Sequence, residues 1–424
     1  MSEVGVAADF TVREILSAVK GRLCWGEPTM EAAGVSTDSR TIGPGELFVP
    51  LVGPHFDGHD FLKAALKANA AGVLVHAGWK VSEEEDAFAI EVSDSLRALG
   101  DLARYHRSTF EIPVVVVTGS NGKTTTKEMI GAILAQGGET LKSEGNLNNL
   151  VGLPLQIFKM GLEHEKAVLE MGMNQPGEIF RLTEIADPQV VVITNIAPVH
   201  LEGLGSVEAV RDAKGEALEA MGQGGCVVLC GDDPHCLSLA RRYQDAGGKV
   251  VLFGFSGECD IRAKDIKISA LEGINFIVQM NDQERKIILP AVGRHNVLNA
   301  LAAAAAASLL GCSLDEVIRG LACATVPRMR LEIEDIPAKR RCYLLNDAYN
   351  ANPVSVHLAL ETAAELKGPG RLFGVLGDMK ELGAFAESAH REVGRTSASV
   401  NVGVDFFVGV GPLMALAAAA ARKA

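Results

Sequence analysis

A run of four valines at residues 114–117 leads directly into a glycine-containing segment and then into a helical pattern. This succession constrains the fold more than any other feature of the chain. A continuous apolar run of this length is typical of a strand buried in a parallel sheet. The glycines that follow let the backbone turn its N–H groups toward an anion, and a helix N-terminus adds partial positive charge. The pattern predicts a strand, a phosphate-binding loop and a helix in direct succession.

Strand-like and helical stretches continue to alternate after this segment. The predicted strands are 114–117, 167–170, 190–194, 226–230 and 250–253, and the predicted helices are 124–135, 178–185, 207–221 and 234–244. Repeated strand–helix units predict a parallel sheet whose site lies at the carboxyl ends of the strands. Residues 260–291 alternate apolar with polar and predict antiparallel strands added to that sheet, followed by helices 295–310 and 314–321.

Two further α/β stretches flank this central one. Before it we expect helices at 12–19, 59–68 and 94–105 and strands at 47–51 and 73–75, with Pro113 marking a linker. After Pro327, strands at 343–345, 372–376 and 406–410 alternate with helices at 354–366 and 384–393 and a last Ala-rich helix. The sequence predicts an α/β protein of three domains: 1–112, a central P-loop domain at 113–326, and a Rossmann-like domain at 327–424.

Composition excludes several classes of protein. The 424 residues carry 40 Lys and Arg against 53 Asp and Glu, a net charge of −13, which is the wrong sign for neutralising nucleic-acid phosphates. The Ala-rich run at 300–310 is too short to span a bilayer, and the N-terminus lacks a basic segment followed by an apolar one. The eight cysteines are scattered and form neither a disulfide framework nor a zinc CxxC pair, and Cys226 and Cys230 are predicted to be small core residues of a strand. We expect a cytoplasmic protein without membrane insertion or nucleic acid.

The phosphate loop predicts ATP and magnesium binding. Residues 119–126 read Gly-Ser-Asn-Gly-Lys-Thr-Thr-Thr, a G-x-x-G-K-T pattern two residues shorter than the usual P-loop. In such a loop Lys123 reaches the β- and γ-phosphates, and the Thr124 hydroxyl binds Mg²⁺. Glu170 and His200, each following a predicted strand, are further metal-ligand candidates. Alone, Glu170 fits a solvated carboxylate and His200 fits a structural histidine. Together with the phosphate loop, the two residues favour a metal site.

The motifs resemble those of the Mur ligases, ATP-dependent enzymes that form amide bonds in peptidoglycan synthesis, and they occur in the family's order. They are residues 118–126, Glu-Met-Gly at 170–172, Asn-Ile-Ala-Pro-Val-His-Leu-Glu at 195–202, Ala-Lys-Gly-Glu at 213–216, Gly-Arg-His-Asn-Val-Leu-Asn-Ala-Leu-Ala-Ala at 293–303, and Arg328. The resemblance implies an acyl-phosphate mechanism and the three-domain α/β fold above.

Three stretches resemble the family members that add D-alanyl-D-alanine to UDP-N-acetylmuramoyl-tripeptide. They are Gly-Asn-Leu-Asn-Asn at 145–149 before Gly-Leu-Pro at 152–154, Asn-Asp-Ala-Tyr-Asn-Ala-Asn-Pro at 346–353, and Gly-Asp-Met-Lys-Glu-Leu-Gly at 377–383. The Asp-Asn-Pro-Arg motif typical of the sibling that adds the third residue is missing from the sequence. Two alternatives remain open: a sibling ligase that adds a different amino acid, and a P-loop protein that switches with its nucleotide and forms no bond.

The resemblance also implies roles for particular residues. Catalysis would involve Lys123, His200, Lys214 and Arg328, with Arg328 at the γ-phosphate. ATP would contact Gly119, Ser120, Asn121, Gly122, Lys123, Thr124, Thr125, Asn299, Arg328 and Asp347. Two Mg²⁺ sites would use Thr124, Glu170, His200 and Lys214, the lysine as a carbamate, since an ammonium would repel the cation. The UDP-substrate would contact Ser36, Asp38, Ser39 and Arg40, and the dipeptide Asn350 and Asn352.

Some properties stay open at this stage. We expect a monomer, although the sequence itself does not fix the oligomeric state. It also does not distinguish lysine from diaminopimelate as the third residue of the tripeptide. The family's last domain normally continues past its final helix into a Lys-Gly-Ser-Arg-like turn, whereas this sequence stops at Ala424. We therefore expect the C-terminal domain to be incomplete or divergent there.

Overall fold

The computed structural model describes residues 9–79, 86–222, 224–270, 272–337 and 342–424. The first eight residues lie outside the described residues. The prediction that the N-terminus lacks a secretory signal falls partly on them. The described chain packs into two compact units. The first comprises the residues up to Val114 together with Glu139–Met171 and Phe180–Pro188, and the second comprises Val115–Gly138, Gly172–Ile179 and Gln189–Ala424.

The helices and strands follow in chain order. The N-terminal stretch contains β1 Asp9–Thr11, α1 Val12–Val19, β2 Arg22–Trp25, β3 Glu31–Ala33, β4 Val35–Ser36, β5 Leu47–Phe48, β6 Val52–Gly53, β7 Phe56–Asp57, α2 Leu62–Lys67, β8 Gly72–His76, β9 Phe88–Val92 and α3 Ser95–Ser108. The central stretch contains β10 Val114–Thr118, α4 Lys123–Leu134, β11 Thr140–Lys142, α5 Gly152–Ile157, β12 Lys166–Glu170, α6 Glu178–Ala186, β13 Val190–Ile193, α7 Leu201–Leu204, α8 Val207–Met221, β14 Cys226–Cys230, α9 Pro234–Asp245, β15 Lys249–Gly254, β16 Ile261–Ser269, β17 Gly273–Met280, β18 Gln283–Leu289, α10 Arg294–Leu309 and α11 Leu314–Cys323. The C-terminal stretch contains β19 Glu332–Ile336, β20 Cys342–Asn346, α12 Pro353–Lys367, β21 Phe373–Gly377, α13 Ala386–Ala398, β22 Phe406–Val410 and α14 Met414–Ala421.

Several predicted elements have the predicted bounds, because local chemistry fixes their ends. Helix α1 begins where the Thr11 side chain and the Glu14 side chain form a capping box, and it ends at Lys20 in the left-handed region. Helix α8 begins at the Ser206 cap. Strands β14 and β22 also match the prediction. Each of the helices predicted at 59–68 and 384–393 is, in the structure, a 3-10 turn followed by an α-helix.

The N-terminal sheet has the strand order β2-β9-β8-β5-β4. Strands β4, β5, β8 and β9 pair in parallel, and β2 pairs with β9 antiparallel. Helix α2 covers one face, where Leu62 and Ala65 pack with Phe48 and Val73 in one buried cluster. Strands β2, β3 and β4 were not predicted, since they are short and mostly half-exposed.

The predicted parallel sheet is confirmed, together with its antiparallel extension. In the second unit β10, β13, β14, β15 and β16 pair in parallel, and β17 and β18 continue antiparallel. In the first unit β11 pairs in parallel with β12. The four valines of β10 are fully buried, as the continuous apolar run predicted. Parallel pairing brings the ends of β10 and β13 to one edge, where the candidate site lies.

The Ala-rich helix α10 belongs to the core. Its residues 300–307 are all buried, and it packs against α4 and β16. Small alanine side chains allow that close approach of helix and sheet. Among the described residues no helix is both long and apolar enough to cross a bilayer.

The C-terminal stretch differs in part from the predicted βαβαβα rhythm. Strands β21 and β22 pair in parallel as expected, whereas β20 pairs antiparallel with β19, which was not predicted. Strand β19 is rich in charge and largely exposed, so its sequence lacks a strand pattern. Helices α12 and α13 bury Val356, Leu360 and Val393 in the core of this stretch.

The first stretch of the first compact unit ends at Val114, close to the predicted boundary at 112–113. The last turn of α3 carries the buried Arg107, whose guanidinium donates to the carbonyl oxygens of Ala186 at 3.0 Å and Asp187 at 3.2 Å. It also donates to Phe110 at 2.7 Å and Ile112 at 3.1 Å. The segment expected to be a linker is therefore held by hydrogen bonds inside the first unit.

Candidate active site

The predicted phosphate loop lies between β10 and α4. Gly119 has φ +138° and Gly122 has φ +81°, conformations that favour glycine. A Cβ at Gly119 would collide with the Thr194 hydroxyl, and one at Gly122 with the side-chain oxygen of Asn299. Lys123 Nζ donates to the carbonyl oxygens of Gly119 at 3.0 Å and Ser120 at 3.3 Å. The lysine thus lies across the concave side of its own loop.

The residues after β13 hold this loop in shape. The Ser120 N–H donates to the Asn195 carbonyl at 2.9 Å, and the Asn121 N–H donates to the Asn195 side-chain oxygen at 3.0 Å. The Thr194 hydroxyl donates to the Asn121 carbonyl at 2.6 Å. The Asn121 side-chain nitrogen is buried without a hydrogen-bond partner among the described residues. A donor left over in a loop of this shape fits a bound anion.

Asn299 reaches the same region from α10, as expected. Its side-chain oxygen accepts from the Thr126 hydroxyl at 3.2 Å, and its side-chain nitrogen donates to Asn296 at 2.9 Å. Asn296 in turn donates to the Val292 carbonyl at 2.7 Å. This buried chain of amides fixes Asn299 beside the loop. Thr125, also predicted, is buried in the first turn of α4.

The arginine at the loop is Arg330, two residues after the predicted Arg328. The Arg330 guanidinium donates to the Thr124 hydroxyl at 3.0 Å and lies 4.3 Å from the centre of the Tyr349 ring. The Arg328 side chain is exposed. Met329 and Leu331, the neighbours of Arg330 in the chain, both have left-handed backbone conformations, with φ of +58° and +53°.

The predicted nucleoside and dipeptide residues follow β20. Asp347 accepts from the Leu331 N–H at 3.1 Å, and burial raises its pKa to about 6 against the opposing effects of that hydrogen bond and of Arg330. Asn352 donates to the side-chain oxygen of Asn121 at 2.6 Å and also caps α12. The Asn350 side chain accepts from the Ala351 N–H, and the residue is exposed. Asn352 therefore contacts the phosphate loop, whereas Asn350 does not in this structure.

A cluster of basic side chains surrounds His200. Burial lowers the pKa of His200; the Glu381 carboxylate opposes this effect, and the amino groups of Lys214 and Lys123 add to it. Lys214 is 1% exposed, and burial together with the Lys123 charge holds its pKa well below the ordinary value. A buried amine near a second cation favours the neutral form. The amino groups of Lys214 and Lys123 are thus close enough to His200 to affect its protonation.

Glu170 belongs to the first unit and ends β12. It is 3% exposed, its Oε1 accepts from the Asn148 side chain at 2.8 Å, and its N–H donates to Ser143 Oγ at 3.0 Å. Its other oxygen, Oε2, is buried without a hydrogen-bond partner among the described residues. An unpartnered buried carboxylate oxygen is the donor that a hard divalent cation prefers, so the residue fits Mg²⁺. In the described ranges no group of three or more His, Cys, Asp or Glu is placed to hold a metal by itself.

The predicted UDP-substrate loop lies between β4 and β5, also in the first unit. The Arg40 guanidinium forms two hydrogen bonds with the Asp38 carboxylate, at 2.9 and 2.6 Å, which lower the pKa of Asp38 to about 2. The Asp38 N–H donates to the Ser36 hydroxyl at 3.3 Å. The structure therefore brings Ser36, Asp38 and Arg40 together, with Ser39 between them in the chain.

Sequence reasoning assigned no role to three residues at this site, Arg330, Tyr349 and Glu381. Arg330 was passed over because Arg328 matched the expected motif position, and Tyr349 was noted only as part of the 346–353 motif. Glu381 was noted only as part of the 377–383 motif. Its contact with His200 joins residues 181 positions apart, and no local signal indicates it.

Three family models match the chain in succession. The one described as Mur ligase family, catalytic domain matches residues 31–107, the Mur ligase middle domain matches 117–307, and the Mur ligase, glutamate ligase domain matches 329–424. Together they cover most of the chain.

Curated relatives align over most of the chain as well. The UDP-N-acetylmuramoyl-tripeptide--D-alanyl-D-alanine ligase of Bacillus subtilis is 39% identical over 387 residues, which are 91% of this chain and 82% of that protein. The ligase of the same name from Escherichia coli is 36% identical over 404 residues, covering 95% of this chain and 86% of its own length.

Solved structures agree with these alignments. MurF from Acinetobacter baumannii superimposes with a TM-score of 0.90 at 31% identity, covering 98% of this chain and 89% of that one. MurF ligase from Thermotoga maritima in complex with ADP gives a TM-score of 0.77 at 28% identity, covering 89% of this chain and 88% of that one. Since family models, relatives and solved structures all extend over most of its length, this chain belongs to the Mur ligase family.

Proposed function

We propose that the chain is an ATP-dependent ligase that joins D-alanyl-D-alanine to UDP-N-acetylmuramoyl-tripeptide in peptidoglycan synthesis. The observation that carries the proposal is the phosphate loop with Lys123 across it and Arg330 hydrogen-bonded to Thr124. The substrate assignment rests on the curated relatives, which bear that activity in their names. The domain bounds we propose are 1–112, 113–326 and 327–424.

The reaction needs an activation step, because a carboxylate and an ammonium are both unreactive toward each other near neutral pH. The carboxylate of the tripeptide attacks the γ-phosphorus of ATP, forming an acyl phosphate and releasing ADP. The amine of the dipeptide then attacks the acyl carbon, losing a proton, and inorganic phosphate leaves. Two anions must meet in the first step, so cationic groups at the γ-phosphate lower the barrier by offsetting repulsion.

The described residues supply those charges. Lys123 binds the β- and γ-phosphates, and Arg330, in the role expected of Arg328, binds the γ-phosphate. The loop amides of residues 119–122 hold the phosphate chain, with Ser120 and Asn121 fixed by the segment after β13. Asn299 and Asp347 contact the nucleoside.

Glu170 fits Mg²⁺, because its Oε2 is buried without a hydrogen-bond partner among the described residues. When bound, the ion neutralises charge on the phosphate oxygens. We propose Thr124 and Glu170 for one ion, and His200 with Lys214 for a second. Lys214 would serve as a carbamate, since its buried, neutral-leaning amine can react with CO₂ to become an anionic ligand.

The substrates are proposed to bind at two further places. The 36–40 loop, with Arg40 paired to Asp38, binds the UDP end of the precursor, and Asn350 and Asn352 contact the dipeptide. We further propose that the enzyme is cytoplasmic, because its precursors are soluble nucleotide conjugates, and that it is a monomer.

Phosphate release measured with separate amines tests the proposal. Purified protein with ATP, Mg²⁺ and UDP-N-acetylmuramoyl-tripeptide should release phosphate when D-alanyl-D-alanine is added, and little when single amino acids replace it. Activity with another amine would assign the chain to a sibling ligase. Nucleotide binding without amine-dependent release would indicate a nucleotide switch.

A further inference from the structure

The asparagine of the phosphate loop, Asn121, has its main chain and its side chain held by different parts of the second compact unit. Its N–H donates to the side-chain oxygen of Asn195 at 3.0 Å, and its carbonyl oxygen accepts from the Thr194 hydroxyl at 2.6 Å. Its side-chain oxygen accepts from the side-chain nitrogen of Asn352 at 2.6 Å, a contact between residues 231 positions apart. The segment after β13 therefore fixes the main chain of Asn121, while the C-terminal stretch holds its side chain.

Asn352 has one end of its amide available for this contact. Its side-chain oxygen accepts from the Ser355 N–H at 2.9 Å and so caps the N-terminus of α12. The two ends of an amide differ, because the oxygen accepts hydrogen bonds and the nitrogen donates them. With its oxygen engaged in the cap, Asn352 presents its nitrogen to Asn121. A donor in that position requires an acceptor opposite, so the oxygen of Asn121 must face Asn352.

The side-chain nitrogen of Asn121 then lies at the other end of the amide. It is buried and has no hydrogen-bond partner among the described residues. Burial of a donor without a partner is unfavourable, which indicates that a ligand with acceptor oxygens completes the site. The glycines with positive φ, the lysine across the loop and the N-terminus of α4 all favour an anion there. A phosphate oxygen is an acceptor that fits this donor.

We propose that the side-chain nitrogen of Asn121 donates to the γ-phosphate of ATP, and that Asn352 is the positioning residue that orients this amide. The inference deepens the proposed function and rests on it for the nucleotide. The γ-phosphate is favoured because the C-terminal stretch reaches the loop at a second place through Arg330, the arginine proposed for that phosphate. The cap of α12 thus sets the direction of a hydrogen-bond donor in the phosphate loop.

Reversal of the amide tests the positioning role. N352D keeps the cap of α12, because aspartate caps helices as well as asparagine does, and it replaces the donor that faces Asn121 by an acceptor. The Asn121 amide would then rotate to donate to the new carboxylate, and its oxygen would face the phosphate. Affinity for the β,γ-imido analogue of ATP, measured by calorimetry with Mg²⁺ on the full chain, should fall about tenfold. An affinity equal to wild type overturns the proposal.

Removal of the donor itself tests which phosphate it contacts. N121A should weaken binding of the same analogue about tenfold, a usual size for the loss of a hydrogen bond to a charged group. It should bind ADP as wild type does, because ADP has no γ-phosphate. A general loosening of the loop would weaken both nucleotides, so equal losses for the analogue and for ADP would contradict the assignment.

A double-mutant cycle separates the orientation of the amide from the added charge. In the N121A background N352D should have little further effect on affinity for the analogue, because no amide remains to be turned. If N352D weakened binding equally in both backgrounds, the new carboxylate would be repelling the nucleotide directly, and the positioning role would be wrong.

The matched control is N281D. Asn281 lies in the exposed turn between β17 and β18 with φ +50°, a conformation that aspartate also adopts, so the substitution adds the same charge. It should bind the analogue as wild type does, and a loss comparable to that in N352D would mean that net charge alone explains the effect. No UDP-precursor or dipeptide is present in these titrations, so their result is independent of the phosphate-release assay that tests the ligase activity itself.

Discussion

The guanidinium of Arg330 donates to the hydroxyl of Thr124 at 3.0 Å, although the two residues are 206 positions apart. Thr124 follows the loop lysine directly and lies in the first turn of α4, at which a phosphate group of the nucleotide would lie. The Tyr349 ring, 4.3 Å from the guanidinium carbon, supports Arg330 from the side. Arg330 is therefore the arginine that we propose for phosphoryl transfer, on the basis of this contact and not of its place in a motif.

Substitution of the two arginines should have very different effects. R330A is expected to lower kcat about a thousandfold, in the range of arginines that stabilise a transferring phosphoryl group. R328A should retain activity within a few-fold of wild type, because the Arg328 side chain is exposed. Steady-state phosphate release with D-alanyl-D-alanine as the amine measures both. The reverse ranking would restore Arg328 to the role that the motif suggested.

Replacement of Lys123 should separate catalysis from substrate binding. K123A removes the cation that lies across the phosphate loop, so ATP-dependent ligation should be lost. Binding of the UDP-precursor should be nearly unchanged, because the 36–40 loop belongs to the other compact unit. Calorimetric titration of the precursor and the release assay give the two quantities. Retained turnover in K123A would contradict the assignment of the loop.

Lys214 should be essential and open to chemical rescue. K214A removes the proposed carbamate, so the variant is expected to be inactive and partly restored by short carboxylic acids that supply the missing anion. The reason is that a buried amine with a lowered pKa is neutral and can react with CO₂, whereas an alanine cannot. Full activity of K214A without any added acid would refute this role.

The phosphate loop was predictable because its determinants are contiguous. Four buried valines, two glycines with positive φ and a lysine at the helix start all lie within one short segment, so the pattern alone fixes their relation. Asn299 was placed beside it only through the family resemblance, and its contact with Thr126 depends on how α10 packs against α4.

The contact of Arg330 with the phosphate loop could not be predicted from the sequence. Two arginines flank Met329, and the selection between them depends on the backbone: φ values above +50° at Met329 and Leu331 turn Arg330 inward while Arg328 faces solvent. Neither residue is a glycine, so no sequence signal marks these turns. Strand β19 was missed for a similar reason, since its pairing with β20, and not its own pattern, makes it a strand.

The stability of the chain should depend on Asp347 in mildly acidic solution. Its folded pKa of about 6 lies above the ordinary value of 3.8, so between these values the folded state binds more protons than the unfolded state. The free energy of unfolding should therefore fall as pH rises from about 4 to about 6 and change little from this residue above that. D347N should flatten that slope, because an amide does not ionise yet still accepts from the Leu331 N–H.

Thermal unfolding followed across this pH range measures the effect. The exposed Asp335 of β19 offers a matched control, and D335N should keep the wild-type slope. Equal slopes in wild type, D347N and D335N would show that burial of the Asp347 carboxyl does not affect folding.

Arg107 should contribute strongly to the stability of the first unit. R107M removes the donor to four carbonyl oxygens, those of Phe110, Ile112, Ala186 and Asp187; the bond to Ala186 is buried and the other three are part-buried. Loss of such a network typically costs about 3–5 kcal/mol, measured here by urea denaturation and by loss of hydrogen-exchange protection in residues 109–113. The matched control is R104A on the same helix, where an exposed guanidinium 4.0 Å from Glu184 should contribute about 0.5 kcal/mol or less. If R107M and R104A unfolded at the same urea concentration, the 109–113 segment would be a free linker, as the proline at 113 first suggested.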